Sequence, residues 1–167
     1  FIEDHIMHSE PFSFSMSFLK KLYALPEGAK VISVGTTSTR SLESLYYAGL
    51  QCYKDGVEEW VPRCVGQWDP YQENPDISTK ESIKSLLDYM EYNNLEILNL
   101  RTQIIIVPSY RFRVVDILVT NFHQPQSTLL LLISAFVGGE SWRDIYKFAM
   151  ENGFRFLSYG DSSMLVR

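Results

Sequence analysis

The chain is short of cysteine, of net positive charge and of long apolar runs, and each shortage removes a class of protein. Its 167 residues include two cysteines, Cys52 and Cys64, too few for a disulfide scaffold and without the paired spacing of a zinc site. That usage points to a reducing, cytosolic setting. No stretch reaches the roughly 18 consecutive apolar residues that span a bilayer; residues 129–137 come nearest and are bounded by a polar loop and by glycines. Phe1 opens no basic-then-apolar signal pattern, and no internal repeat or low-complexity tract interrupts the chain. The abrupt start FIEDHIMHSE, without an initiating Met, leads us to expect a piece cut from a longer protein.

The formal charge is −5, the opposite of the basic footprint that announces a nucleic-acid partner. Its distribution changes the reading. Residues 49–101 hold ten acidic and five basic side chains, whereas the remainder holds ten of each. The acidity is therefore local to one segment, and the neutral remainder is permissive for RNA without predicting it.

What is present builds a core: 46% of the residues are hydrophobic and 14% aromatic, ample for one domain of this length. Periodicity gives helices over residues 15–25, from near Thr39 onward, from Ser78 or Thr79 to Tyr92, over 128–137, and from Glu140 or Ser141 to Met150. It gives strands over residues 31–34, 103–107, 114–120 and 154–159, with 95–100 as a short extended piece. Alternating strands and helices imply an α/β fold with a mixed or largely parallel sheet and flanking helices. Residues 49–101, with their prolines, two tryptophans and both cysteines, read as an elaboration on that core. Trp60 and Trp68 have apolar neighbours, which suits packing as well as a stacking platform for bases. Arg111 and Arg113 alternate with Phe112 and so leave one face of a strand, toward phosphate or toward solvent.

Two junctions carry the chemistry. In residues 118–139, LVTNFHQPQSTLLLLISAFVGG, a buried strand gives way to a polar loop and then to an apolar helix. Pro125 ends the strand, and Ser127 or Thr128 can supply the capping hydroxyl. In VGTTSTRSLES the turn is made by Gly35. Thr36, Thr37 and Ser38 then place hydroxyls beside the unpaired amides of a helix start, where anions dock, unless they serve only as caps. Arg40 offers a fork for carboxylate or phosphate, and Glu43 is spaced to orient it instead. Elsewhere, His5, His8 and Glu10 form a polar run whose residue types suit metal ligation, acid–base work or a plain solvated loop. Asp161 follows the expected last strand, where a carboxylate serves either chemistry or the turn itself.

Four ordered segments, IEDHIMHSE, VGTTSTRSLES, VVDILVTNFHQPQSTLLLLISAFVGG and RFLSYGDSSMLV, closely resemble the carboxyl-terminal half of the S-adenosylmethionine:tRNA ribosyltransferase-isomerase family of queuosine biosynthesis. The resemblance implies a cytoplasmic bacterial enzyme. It would transfer and isomerise the ribosyl moiety of S-adenosylmethionine onto 7-aminomethyl-7-deazaguanine at the tRNA wobble position, giving epoxyqueuosine and releasing adenine and methionine. S-adenosylmethionine is then a consumed donor, and neither a metal nor a further cofactor is implied. The proposed family mechanism starts with removal of a proton beside the sulfonium. By residue type, His8, Glu10, His123 and Asp161 are candidates for proton transfer, and Thr36, Thr37, Ser38 and Arg40 for gripping the methionine carboxylate or an RNA phosphate. His5, Gly35, Asn121, Phe122, Ser127, Thr128, Tyr159 and Gly160 complete the expected substrate-binding set. The family's amino-terminal half and inserted β-barrel domain have no counterpart here, and residues 49–101 are longer than the corresponding family connection. The expectation is therefore the carboxyl-terminal part of a larger α/β catalytic domain, inactive alone. The alternative is a non-catalytic binding or protein-interaction module that keeps the fold.

Overall fold

The computed structural model describes residues 7–124, 127–157 and 160–167. The described residues form two compact units, one of residues 1–29 and 41–104 and one of residues 30–40 and 105–167. Together they give a mixed α/β fold.

In the first unit, β1 (Glu10–Ser15) pairs antiparallel with β3 (Ile97–Thr102), from Glu10 opposite Thr102 to Ser15 opposite Ile97. The segment ILNLRT alternates outward and inward, burying Leu98, Leu100 and Thr102, so the period-2 pattern decides which face meets the core. Ser15 caps α1 (Met16–Tyr23) by accepting from the Phe18 amide. Helix α3 (Thr79–Tyr92) begins with a capping box: the Ser78 hydroxyl accepts from the Glu81 amide at 3.1 Å, and the Glu81 carboxylate accepts from the Ser78 amide at 2.7 Å. These reciprocal bonds satisfy two amides that the helix leaves over. They also hold the Glu81 carboxyl below its ordinary range. Ile83, Leu86, Leu87 and Met90 of α3 join Leu19 and Leu45 in the core. Trp60 is buried edge-on against Tyr89, which makes it a packing residue. Cys52 is buried too, and burial followed by the charges of Asp55 and Asp88 pushes its thiol up to about 12, an inert group at neutral pH.

In the second unit, β2 (Ile32–Val34), β4 (Ile117–Asn121) and β5 (Ser162–Val166) form a sheet in the order β2-β4-β5. β2 runs parallel to β4, and β5 runs antiparallel to it. Asp116 ties the start of the sheet, accepting from the Val31 amide at 2.9 Å and facing the Lys30 ammonium. Ser33, Leu118, Thr120 and Leu165 are buried on one face. Helix α4 (Thr128–Val137) buries Leu130, Leu132, Ile133 and Phe136 and packs on α5 (Ser141–Glu151) and β5. Its bounds agree with the apolar run read from sequence, and Gly138 ends it as expected. Ser127 does not cap it, however: the Ser127 hydroxyl donates to the Gln124 carbonyl instead.

Three expectations are corrected. Helix α2 (Thr36–Asp55) starts three residues before Thr39 and continues unbroken past Gly49. Residues 103–107 are not a strand. Ile104, Ile105 and Ile106 are all buried, without the alternation that a half-exposed strand requires, and the pairing belongs to residues 97–102. Arg111 and Arg113 consequently leave no strand face. Residues 154–157 likewise form no strand. Phe154 and Phe156 turn inward onto Phe122, and Leu157 takes a left-handed backbone at φ 64°, which breaks any extended run.

Candidate active site

Sheet topology gathers the expected polar motifs of the second unit at one edge. Because β2 and β4 are parallel, both leave the sheet at the same end. β5 is antiparallel and enters there, with Ser162 opposite Asn121. The loops after Val34, after Asn121 and before Ser162 therefore share the carboxyl edge of the parallel pair, where open α/β sheets bind ligands. His8 and Glu10 belong to the other unit: His8 is exposed, and Glu10 opens β1. His5 and Tyr159 lie outside the described residues.

The first loop is a single turn. Gly35 sits at φ 90°, a region that favours glycine, while its amide donates to the Val119 carbonyl at 2.8 Å. Thr39, fully buried, donates its hydroxyl to Ser33 Oγ and to the Gly35 carbonyl. Thr36 is nearly buried, whereas Thr37 and Ser38 are exposed on the first turn of α2. Thr37 and Ser38 are thus the residues of that turn that face solvent. Arg40 is 7% exposed and Glu43 is fully buried, and both are engaged by neighbours. The Arg40 fork is accordingly an interior group in this structure.

The second loop presents His123. Its Nε2 lies 3.0 Å from Thr120 Oγ1 and its backbone amide donates to the Tyr146 hydroxyl at 3.0 Å, so strand β4 and helix α5 both fix it. Burial lowers the His123 pKa below the ordinary histidine range, leaving a neutral imidazole at pH 7 with one basic nitrogen. Burial raises the Tyr146 phenol, offset in part by the amide of His123. Phe122 beneath is 4% exposed and lies edge-on to Tyr146 and Phe154. It is a core side chain that sets the loop's height. Thr128 is the first residue of α4.

The third loop wraps on the second. Leu157 donates its amide to the Phe122 carbonyl at 2.9 Å, and its own carbonyl accepts from Asn121 Nδ2 at 3.0 Å. Asp161 accepts from the Arg155 amide at 2.8 Å and from the Arg155 guanidinium at 3.3 Å. Those bonds, the amide first, hold its carboxyl below the ordinary carboxylate range. A carboxylate so engaged is a weak base and a strong loop clasp. Gly160 is crowded: a Cβ there would lie 2.8 Å from the Leu157 oxygen and closer still to the Arg155 oxygen. Sequence reading found this edge but missed Thr120 and Tyr146, which position His123. Thr120 was legible as a lone hydroxyl on the buried face of an apolar strand, while Tyr146 carries no signal beyond its place on an amphipathic helix.

Described residues line cavities in both units. One of about 310 Å³ in the first unit is lined by Gln51, Lys54, Cys64, Asp69 and neighbours. One of about 670 Å³ in the second unit is lined by Phe122, Phe148, Phe154 and the length of β5. Neither is lined by His123 or Asp161. Among the described residues no group of three or more His, Cys, Asp or Glu side chains is placed to hold a metal.

The family model described as queuosine biosynthesis protein matches residues 1–166. The chain belongs to that family. The S-adenosylmethionine:tRNA ribosyltransferase-isomerase of Burkholderia cenocepacia is 38% identical over 167 residues, covering 99% of this chain and 36% of the relative. The same enzyme of Paraburkholderia xenovorans is 37% identical over the same span. The chain thus spans about a third of the length of these relatives. The crystal structure of S-adenosylmethionine tRNA ribosyltransferase from Thermotoga maritima superposes with a TM-score of 0.62 at 27% identity. It covers 93% of this chain and 40% of the other.

Proposed function

We propose that the protein containing this chain transfers the ribosyl moiety of S-adenosylmethionine to 7-aminomethyl-7-deazaguanine in tRNA and isomerises it to epoxyqueuosine. The observation that carries this reading is the convergence of three polar loops on one sheet edge around a neutral, doubly held histidine, within a chain of the queuosine family. His123 is the general base that removes the proton beside the sulfonium. It has the neutral form and the fixed ring that such a step requires, and Thr120 and Tyr146 position it. Thr37 and Ser38, exposed at the start of a 20-residue helix, take the methionine carboxylate or an RNA phosphate. Asn121 and Ser127 border the ribose. Asp161 and Gly160 shape the loop beside them, and His8 and Glu10 remain candidates for the later proton transfers. Arg40 acts from the interior, behind the anion site. S-adenosylmethionine is the donor substrate, and no further cofactor enters the scheme.

The whole chain is the carboxyl-terminal part of a larger catalytic domain, with residues 49–101 as an elaboration, and the activity belongs to the longer protein in the cytoplasm. No helix among the described residues is long and apolar enough to cross a membrane, which suits that placement. The test is adenine release by the full-length protein from S-adenosylmethionine and tRNA bearing 7-aminomethyl-7-deazaguanine. Release that depends on the modified tRNA supports the reading; none above background, despite binding of both substrates, favours a non-catalytic binding module.

A further inference from the structure

Within the first unit, the short segment that carries His8 is held by side chains far from it in sequence. The Met7 amide donates to Gln67 Oε1 at 2.9 Å, and the Met7 carbonyl accepts from Gln103 Nε2 at 3.2 Å. Two glutamine amides thus take both backbone groups of one residue. On the other side of His8, the Ser9 hydroxyl accepts from Arg101 Nε at 2.9 Å and the Ser9 carbonyl accepts from the same guanidinium at 3.2 Å, with Cys64 Sγ 3.7 Å from the hydroxyl. None of these bonds uses His8, which is exposed. The backbone is pinned at both neighbours while the imidazole stays open to solvent.

Gln67 is itself set by its neighbours. Val65 is fully buried and docks beside the end of β3: its amide donates to the Arg101 carbonyl and its carbonyl accepts from the Gln103 amide, each at 2.9 Å. The Gly66 amide then donates to Asp69 Oδ2 at 2.7 Å, and a Cβ at Gly66 would lie 2.7 Å from Asp69 Oδ1, displacing the carboxylate that holds the turn. That turn brings Gln67 to Met7 across 60 residues of sequence. Ordering long polar side chains around a short exposed segment costs conformational entropy, whereas a general acid or base has to be held within hydrogen-bond reach of the proton it moves. We propose that Gln67 is a positioning residue for His8: with Gln103 and Arg101 it fixes the Met7–Ser9 backbone, so that the imidazole meets its substrate atom in one geometry. This rests on the reading of His8 as a proton-transfer residue in ribosyl transfer. It gives the segment between α2 and α3 a part in the reaction.

The test uses the full-length protein with S-adenosylmethionine and tRNA bearing 7-aminomethyl-7-deazaguanine. Gln67→Ala removes the acceptor of the Met7 amide, and Gln67→Glu keeps an oxygen in its place. In Gln67→Ala, hydrogen exchange at the Met7 amide is expected to rise roughly tenfold. The kcat for epoxyqueuosine formation should fall about 10–100-fold, with KM for S-adenosylmethionine within about twofold of the parent. Gln67→Glu should restore both readouts. A role confined to stability would instead lower Tm and leave kcat of the folded enzyme unchanged, and that result overturns the proposal. Gln103→Glu, which loses the donor to the Met7 carbonyl, should lower kcat in the same way. It decides the matter if Gln67→Ala does not fold, because parental kcat there also overturns the proposal. His8→Ala separates the positioning from the reading beneath it. Turnover lost in His8→Ala but kept in Gln67→Ala would refute the positioning and leave the role of His8 standing; parental turnover in His8→Ala would remove His8 from the reaction, and the proposal with it.

Discussion

Replacing Gly160 with alanine should unpick the loop that holds Asn121. The added Cβ would lie 2.8 Å from both the Arg155 carbonyl carbon and the Leu157 oxygen, all backbone atoms that cannot swing aside as a flexible side chain would. The loop must open by more than half an ångström to restore van der Waals spacing of about 3.5 Å. Two bonds stand directly in the way: Gly160 N–H to the Leu157 carbonyl and Asp161 N–H to the Arg155 carbonyl, each 2.9 Å. Losing them costs about 1 kcal/mol apiece, and the overpacking adds about 1–3 kcal/mol before relaxation. Together these come to about 3–5 kcal/mol before relaxation, which in a chain of this size lowers Tm by roughly 6–20 °C. Thermal unfolding followed by circular dichroism reads the first effect. The second is local: the Leu157 carbonyl that accepts from Asn121 Nδ2 shifts, so amide exchange should rise at Leu157 and not in α3. A variant within about 2 °C of the parent, with unchanged exchange at Leu157, would refute the crowding argument.

Three further outcomes are expected. Tyr146→Phe removes the acceptor of the His123 amide and should cost about 1–2 kcal/mol, measured by urea unfolding, with a lowered turnover because the backbone that carries the imidazole loses an anchor. Phe122→Ala empties a site against Tyr146, Phe154 and Phe156 and should cost about 3–5 kcal/mol, which denaturant midpoints at constant m would record. The pH dependence follows from the lowered pKa of His123: the unfolded chain binds its proton near pH 6.5, more readily than the folded one. Stability from this group is therefore complete above about 6.5 and is lost as pH falls toward the folded pKa. His123→Gln should flatten that segment of the stability profile, and an unchanged slope would contradict the assignment.

Much of this was legible from local signals. Ser78 followed by Glu81 announces a capping box, and Thr128 to Gly138 announces an apolar helix with its stop, because both depend on neighbouring residues alone. The inward and outward alternation of ILNLRT was equally plain, yet the run IIIV beside it has the greater apolar content and drew the strand to residues 103–107. Burial on every side, not pairing, is what those isoleucines encode. The FRFLSY segment alternates as a strand does. Its phenylalanines find Phe122 across more than 30 residues of sequence, and the chain turns at Leu157. At the candidate site, the motifs VGTTSTR and TNFH could be placed on loops by their Gly and Pro punctuation. That Arg40 would be interior, that Asp161 would clasp Arg155, and that Tyr146 would hold His123 depend on tertiary packing, which no spacing in the sequence expresses.

The central claim is that His123 takes the proton beside the sulfonium. Single-turnover adenine release by the full-length protein, with S-adenosylmethionine and tRNA bearing 7-aminomethyl-7-deazaguanine, tests it most directly when the parent is compared with His123→Ala. The rate is expected to fall about 10²-fold or more, with the affinity for S-adenosylmethionine retained. Near-parental release from a folded His123→Ala variant would contradict it.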